Sequence, residues 1–217
     1  MSRPALALLL MLLGACAGPR PPAWQSDSLA ALERFRTHYL AGEHARAQRA
    51  FDEALYEIGA AGRLDAAARA ELYRCALGTA ALDFDACAGY TARAGDATPD
   101  DRAYGRFVAG DWRELESRRV PARYRPLLAA ADDAARTAAL AALEDPLSRL
   151  VAAGALFRQG RLSPDGLQLA IDAASAQGYR RPLLALLTVQ ARMAESAGDA
   201  EALAHIRRRL DLLSGSR

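Results

Sequence analysis

Cysteine and histidine are the residues of this chain whose side chains could ligate a metal, attack a substrate or transfer a proton. His38 and His44 lie six residues apart on either side of a predicted turn, whereas two metal ligands on one helix face need a four-residue spacing. The sequence has no His-Glu-x-x-His motif, no Gly-x-Ser-x-Gly motif and no glycine-rich phosphate loop. We therefore expect structural roles for the histidines, His205 included, and predict no metal site, no cofactor and no catalytic residue.

Paired carboxylates are the other chemical candidates, because two carboxyl groups about 5–9 Å apart can hydrolyse a glycosidic bond. The close pairs are Asp83 and Asp85, Asp100 and Asp101, and Asp132 and Asp133. Each pair falls at a predicted helix start or on a solvent-facing turn. An acidic side chain there caps free backbone N–H groups and complements the helix dipole. We interpret the pairs as helix caps rather than catalytic groups.

The elements that position these residues are predicted to be helices. The 217-residue chain contains only seven valines and isoleucines, and such β-branched residues are what a half-buried strand needs. Apolar residues, mostly leucine and alanine, instead recur at three- and four-residue spacing. The net charge of +2 provides no field that would attract nucleic acid. The predicted fold class is all-α, and nucleic acid is not expected as a partner.

Glycine and proline divide this pattern into antiparallel helical hairpins. The glycines that separate predicted helices are Gly42, Gly110, Gly160 and Gly198. Ser28 is expected to be the N-cap of the first helix. The predicted helices span 28–41, 44–59, 66–81, 84–95, 99–109, 111–119, 126–143, 147–159, 164–177, 181–197 and 199–213. The proline-containing segment 120–126 predicts a boundary between a repeat-like half, 28–120, and a C-terminal helical half, 121–217.

Residues 1–15 are expected to form a signal peptide, since Arg3 precedes an unbroken apolar run over residues 5–13. This run is much shorter than the ~20 residues that a membrane-spanning helix needs. The sequence that follows, Leu-Gly-Ala-Cys at 13–16, resembles the lipobox of bacterial lipoproteins. The resemblance implies cleavage before Cys16 and lipidation of that cysteine. An ordinary signal peptide followed by a chance cysteine is the alternative.

The same resemblance predicts where the protein is anchored. Ala17 follows the cysteine at the position where lipoproteins retained in the inner membrane of Gram-negative bacteria typically carry Asp. The periplasmic face of the outer membrane is therefore the expected location. Residues 16–27 contain three prolines and no helical period, which predicts a tether extending up to ~30 Å. Trp24 in this segment is expected either at the lipid headgroups or against the first helix.

The first predicted hairpin resembles a tetratricopeptide repeat. The matching residues, in the turn and the second helix, are Tyr39, Gly42, Ala47, Phe51 and Ala54. His44 stands where that family usually has tyrosine, and the first helix lacks the family's tryptophan-leucine-glycine series. The resemblance implies stacked helical hairpins that form a degenerate α/α solenoid, with only generic helical pairs beyond about residue 95. A compact helical bundle without repeats is the alternative.

Cys75 and Cys87 are the two cysteines left after lipidation of Cys16, in a compartment that favours disulfides. On one unbroken helix they would lie ~18 Å apart, whereas a disulfide needs Cα atoms within ~7 Å. The repeat resemblance implies a turn at residues 83–84 that brings the two positions to the closest contact between adjacent helices. It therefore implies a disulfide between helices 66–81 and 84–95. Two buried free thiols are the alternative, and a metal site is disfavoured because no third ligand lies at suitable spacing.

The resemblance to lipid-anchored repeat proteins implies a function as a non-enzymatic adaptor in envelope complex assembly. The concave face of such a solenoid would hold a segment of an envelope protein. The first helix of each hairpin lines that face, so helices 28–41 and 66–81 are expected to bind the partner. Arg36, Arg69 and Tyr73 are the candidate partner-binding residues, because arginine pairs bidentately with carboxylates and tyrosine combines contact area with a polar group.

Two alternatives remain open at this point. One is an envelope enzyme, or its accessory domain, that acts on peptidoglycan through a carboxylate in a cleft. The other is a basic surface for acidic peptides, lipid phosphates or anionic glycan. The arginine groups that could form it are Arg118, Arg119, Arg123 and Arg125; Arg180 and Arg181; and Arg207, Arg208 and Arg209.

Overall fold

A computed structural model describes residues 21–215, and within that range the chain forms eleven α-helices and no strand. The helices are α1 (Ala23–Ala41), α2 (His44–Ala60), α3 (Leu64–Ala80), α4 (Ala88–Arg93), α5 (Pro99–Val108), α6 (Arg125–Ala129), α7 (Asp133–Ala141), α8 (Pro146–Arg158), α9 (Pro164–Ala176), α10 (Arg180–Ala197) and α11 (Ala200–Gly215). Short 3₁₀ turns at Phe84–Cys87, Ala94–Asp96, Ser117–Arg119 and Ala122–Tyr124 join some of them. The all-α prediction is confirmed.

Tight glycine turns join antiparallel hairpins at both ends of the described chain. Gly42 ends α1 with φ 81°, a left-handed conformation that costs glycine little, and Gly198 ends α10 in the same way. Ala47 is buried where α1 and α2 approach each other. Successive helices then pack side by side, α2 on α3 and α8 through α11 in order. The predicted stack of helical hairpins is confirmed.

Two groups of buried side chains hold these helices together. The first, called here the aromatic cluster, consists of Phe35, Tyr39, Leu40, Ala47, Ala50, Phe51, Ile58, Ala70, Leu77 and Ala81. The second, called here the main core, consists chiefly of buried leucine and alanine between Ala68 and Ile206. Helix α3 contributes to both groups, which explains why nearly its whole circumference is apolar or small. The boundary that we predict at residue 120 lies within the main core, because Val120 is one of its buried residues.

The crossing of α3 and α8 in the main core brings two backbones close together. A Cβ atom added to Gly154 of α8 would lie 2.0 Å from the carbonyl oxygen of Thr79 on α3. Ala152 and Ala153 of α8 are fully buried beside this glycine. Small residues are therefore a geometric requirement of the crossing, since any side chain at position 154 would push the helices apart.

A disulfide links Cys75 of α3 to Cys87 of the following 3₁₀ turn, with their Cα atoms 4.2 Å apart. The turn around Asp83 reverses the chain so that residues twelve apart meet. The predicted pairing is confirmed. The segment after the turn differs from the predicted helix 84–95, because it consists of a 3₁₀ turn, the short α4 and a second 3₁₀ turn.

Two other predicted helices are wrong. Residues 111–119 form turns and a short 3₁₀ segment, because Trp112 folds back, stacks on Phe107 and donates its indole N–H to the Phe107 carbonyl at 2.9 Å. The predicted helix 126–143 is two helices, α6 and α7. Ala130 is extended between them, and the carboxylate of Asp132 accepts the Ala135 N–H at 2.7 Å and so starts a new helix.

The first helix begins earlier than the pattern predicts. Helix α1 starts at Ala23, directly after Pro22, whose backbone φ of −53° suits a helix start. Ser28 is therefore a buried residue within the helix and not its N-cap, and its hydroxyl donates to the Gln25 carbonyl at 3.1 Å. Residues 23–27 are helical, in contrast to the predicted tether 16–27. Cys16 and the predicted signal peptide lie outside the described residues.

A seam joins the first hairpin to α10. The guanidinium of Arg181 lies 4.0 Å from the ring centroid of Tyr39 and donates to Asp83 Oδ2 at 2.6 Å, and the Tyr39 hydroxyl donates to the same oxygen at 3.1 Å. Beside it, Arg36 of α1 donates to the Tyr179 hydroxyl at 3.3 Å. Elements from opposite ends of the described chain are thereby in direct contact. None of the helices within residues 21–215 is both long and apolar enough to cross a membrane.

Candidate protein-binding groove

An open groove of about 430 Å³ lies between α1 and α3. Its lining comes mainly from these two helices, with Ile58 of α2 and Arg63 of the α2–α3 turn completing it. Residues 25, 28, 29 and 32 of α1 line it, and residues 66, 69, 70 and 73 of α3 line it with the same i, i+3, i+4, i+7 spacing. Residues so spaced share one face of a helix. The groove is therefore formed by two parallel stripes of side chains that no third helix within residues 21–215 covers.

Apolar side chains dominate these stripes. Leu29 is 60% exposed although it is a large apolar residue, and Leu32 and Trp24 beside it are half-buried. Trp24 packs against the aromatic cluster, and the guanidinium of Arg63 lies 5.7 Å from its ring centroid. Trp24 is thus a residue of the first helix itself, with its side chain against the aromatic cluster, and not a tether residue packed on that helix. The result is an accessible apolar surface with a rigid aromatic side chain at one end.

The charges around the groove neutralise one another. Glu33 accepts from the Arg36 guanidinium at 2.9 Å, and this hydrogen bond lowers the pKa of Glu33. Asp65 accepts from Arg63 at 2.8 Å, and that hydrogen bond lowers the pKa of Asp65 to about 2. Each carboxylate therefore remains ionised and paired at neutral pH. The groove presents apolar area without a net field of either sign.

The three predicted partner-binding residues have different positions relative to the groove. Arg69 and Tyr73 line it, as expected from the predicted role of helix 66–81. Arg69 is already paired with Asp101 of α5 at 3.0 Å, and burial raises the pKa of Tyr73. Arg36 does not line the groove, because its guanidinium is directed to Glu33 and Tyr179. Of the two predicted arginines, only Arg69 borders the surface itself.

Sequence reasoning missed three apolar residues that line the groove, Trp24, Leu29 and Leu32. A signal for Leu29 and Leu32 was present in their spacing with Gln25 and Ser28. Spacing shows which residues share a face of a helix but not whether another helix covers that face, so it could not identify them as groove residues.

His38, His44 and several of the paired carboxylates have partners within the protein. His38 Nδ1 lies 2.6 Å from Glu43 Oε2, and Arg181 contacts His44 Nδ1 at 3.1 Å. Asp101 accepts from Arg69, and Asp132 caps α7. Among residues 21–215 there is no group of three or more histidine, cysteine, aspartate or glutamate side chains placed to hold a metal ion.

Most members of the predicted arginine groups are also engaged. Arg118 and Arg119 pair with Glu116, and Arg123 donates to the Ser148 hydroxyl at 3.1 Å. Arg125 donates to the carbonyl of Val120. The contacts of these four side chains are within the protein, so they fasten the 116–125 segment to its neighbours.

Glu71 is a buried carboxylate on the other side of α3. Its Oε1 lies 3.6 Å from Arg93 of α4, and its carboxylate fills the space beside Gly89, where an added Cβ would lie 2.2 Å from Oε2. The side chain is only 5% exposed and is not among the residues that line the groove. Glu71 therefore joins α3 to α4 next to the disulfide.

No protein-family model, no curated protein and no solved structure matches this chain. The fold and the groove define the class on their own: an all-α protein of stacked helical hairpins that leaves an apolar groove open between the first helices of its first two hairpins.

Proposed function

We propose that the chain is a non-enzymatic adaptor, a lipoprotein anchored through Cys16 to the periplasmic face of the outer membrane. It binds an apolar segment of an envelope protein partner in the groove between α1 and α3. The observation that supports this most directly is Leu29, a large apolar side chain left 60% exposed in a concave surface. Concave apolar surfaces bordered by polar residues are typical of sites that bind other proteins.

The charge pattern identifies the chemistry of the occupant. The carboxylates that border the groove are paired with arginines of the same chain, so a charged ligand would have to displace an existing pair. An apolar side chain displaces no ion pair, and its binding is favoured by about 25 cal/mol for each Å² of apolar surface that is buried. The segment that fits is therefore one that places leucine- or phenylalanine-like side chains between Trp24 and Tyr73.

The proposed anchor places this groove near the membrane. Trp24 is eight residues beyond Cys16. Eight fully extended residues span at most about 29 Å. A partner segment in the groove would therefore be held within ~30 Å of the lipid surface. This distance suits an adaptor that positions a periplasmic segment of a membrane-associated complex.

Site-specific cross-linking tests the groove. The photoreactive residue benzoylphenylalanine replaces Leu29 in one variant and Leu64 in a matched control, because Leu64 is 64% exposed but does not line the groove. We expect a defined envelope protein to be cross-linked from position 29 and not from position 64. Introducing Leu29→Glu should abolish capture of that protein by the lipidated chain, whereas Leu64→Glu should leave it unchanged. Identical adducts from both positions would contradict the proposal.

A separate experiment tests the anchor. Cys16→Ser removes the proposed lipid attachment, and no helix of residues 21–215 can span a membrane. We expect the variant to leave the membrane fraction after a salt wash while keeping its helical circular dichroism spectrum. Retention in the membrane fraction would refute lipid anchoring without affecting the assignment of the groove.

A further inference from the structure

A second cavity, of about 590 Å³, lies between the turn after α5, helices α6 and α7, and the turn after α8. Three arginines line it, Arg113, Arg136 and Arg161, and Asp111 is the one carboxylate among its lining residues. Its volume is within the range of about 300–1,000 Å³ that small-ligand sites occupy. None of its lining residues belongs to the groove between α1 and α3.

Arg136 gives the cavity a buried positive charge. Its side chain is only 8% exposed, and its Nε and one terminal nitrogen both donate to a single oxygen of Asp133. The other terminal nitrogen donates to the Ala130 carbonyl at 3.3 Å. A guanidinium has five N–H donors, so two of them have no acceptor within the described part of the chain. Because Asp133 already balances its charge, Arg136 offers an added anion these two N–H donors rather than an unpaired charge.

The other two arginines lie at the exposed edge of the cavity. Arg113 is 93% exposed and 3.6 Å from Asp111, which also accepts from Arg106 at 3.2 Å. The hydrogen bond from Arg106 lowers the pKa of Asp111, which keeps it ionised. Arg161 has no ion-pair partner among residues 21–215. The cavity therefore has an excess of positive charge, in contrast to the neutral groove.

The rest of the lining is mostly apolar, with Gln159 as the polar exception. Trp112 stacks on Phe107 with centroids 5.1 Å apart and planes 4° apart, and its only donor is used by the Phe107 carbonyl. Leu127 and Leu128 of α6 complete this side. A small inorganic anion would gain nothing from contact with these apolar side chains. A peptide that carries a carboxylate next to an apolar side chain would use both parts of the cavity.

We infer that this cavity is a second binding site, for a carboxylate-bearing peptide segment. Arg136 would pair with the carboxylate through the two N–H groups that lack acceptors. Arg113 and Arg161 would attract and orient this carboxylate. The neighbouring apolar side chain would pack against Trp112, Leu127 and Leu128. The site is independent of the groove, since it differs in location, charge and ligand chemistry.

Isothermal calorimetry on the full chain in detergent tests this inference with three probes. They are a capped tripeptide with leucine between two glutamates, the same tripeptide with two glutamines, and inorganic phosphate. We expect saturable 1:1 binding of the glutamate peptide alone. Arg113→Gln and Arg161→Gln should each weaken it about fivefold, the effect of one partly screened charge pair.

Two controls complete the design. Arg192→Gln removes an exposed arginine of α10 that is not a lining residue, and Leu29→Glu changes only the groove, so both variants should bind the peptide as the wild type does. Equal binding of the glutamine peptide or of phosphate would overturn the inference. So would an absence of saturable binding, or equal weakening by Arg192→Gln.

Discussion

The aromatic cluster and the main core hold their helices together by different means. In the aromatic cluster, Phe35 of α1 lies 4.9 Å from Phe51 of α2 and 6.5 Å from Tyr73 of α3, so aromatic rings fill the space between the three helices. In the main core, alanine and glycine let the α3 and α8 backbones approach until Gly154 touches Thr79. The groove lies beside this cluster, since Trp24, Leu32 and Tyr73 both pack against it and line the groove. Small residues at the α3–α8 crossing instead bring the two backbones into contact.

The two regions also differ in how the N-termini of their helices are capped. Within the described part of the chain, no side chain caps the N-terminus of α1, α2 or α3. In the region of the main core, Thr98, Asp132, Asp145 and Ser163 cap α5, α7, α8 and α9. Each such cap contributes about 1 kcal/mol. The groove region thus depends on its rings for stability, whereas the main core combines close packing with helix caps.

The largest expected effect tests the dependence on rings. Phe51→Ala should reduce the free energy of unfolding by about 3–5 kcal/mol, because it empties the centre of the aromatic cluster. Trp24, which packs on the cluster, should shift its emission to longer wavelength. Urea denaturation followed by fluorescence measures both effects. Tyr56→Ala in the same helix is the control and should change stability by less than about 0.5 kcal/mol, because Tyr56 is 74% exposed.

Removal of the disulfide tests the stability of the main core, to which α3 also contributes. Cys75→Ala/Cys87→Ala should lower the free energy of unfolding by about 2–3 kcal/mol, because the disulfide closes a loop of twelve residues. The native emission of Trp24 should not change, since the disulfide lies in the main core. A change in that emission would show that the two regions are not separate.

Gly154→Ala tests close packing directly. The new methyl group would overlap the Thr79 carbonyl, so the α3–α8 crossing must open, at a cost of about 1–3 kcal/mol. Gly59→Ala near the end of α2 is the matched control, because an added Cβ there meets no atom within 4 Å. That control should be neutral or stabilising by up to about 1 kcal/mol. Thermal unfolding that ranks the two variants in the reverse order would refute the comparison.

The smallest expected effect concerns the cap of α8. Partial burial acts to raise the pKa of Asp145, but hydrogen bonds from Ser148 outweigh it and lower that pKa. Because the pKa is lower in the folded state, this cap stabilises the protein above the unfolded pKa and is lost as the pH falls through the folded pKa. Asp145→Ala should cost about 1 kcal/mol at pH 7, and the difference should shrink below pH ~4.

Asp145→Asn is the control for this titration. Asparagine keeps an oxygen that accepts the Ser148 N–H but has no carboxyl to protonate. The stability of this variant relative to Asp145→Ala should therefore stay constant between pH 3 and 7, as measured by urea denaturation at each pH. A stability gap between wild type and Asp145→Ala that does not depend on pH would show that the carboxylate charge is irrelevant to the cap.

The sequence predicted those features that depend on local spacing. The scarcity of β-branched residues predicted helices, the turn at Gly42 predicted the first hairpin, and the resemblance to a repeat predicted the Cys75–Cys87 pairing. Two of the failures have a tertiary cause. Trp112 leaves its predicted helix to stack on Phe107, which lies on the preceding α5, and Arg36 turns away from the groove to reach Tyr179, 143 residues later. Periodicity alone carries no information on such distant partners.

The seam between Tyr39 and Arg181 limits how this architecture can change in length. Open arrays of helical hairpins gain or lose units freely, because each unit touches only its neighbours. Here the first hairpin also touches α10, through the stacked guanidinium and the shared carboxylate of Asp83. One duplicated hairpin inserted between them would add helices spaced about 8–10 Å apart and separate the two sides of the seam. The contact between the first hairpin and α10 therefore fixes the number of hairpins in this architecture.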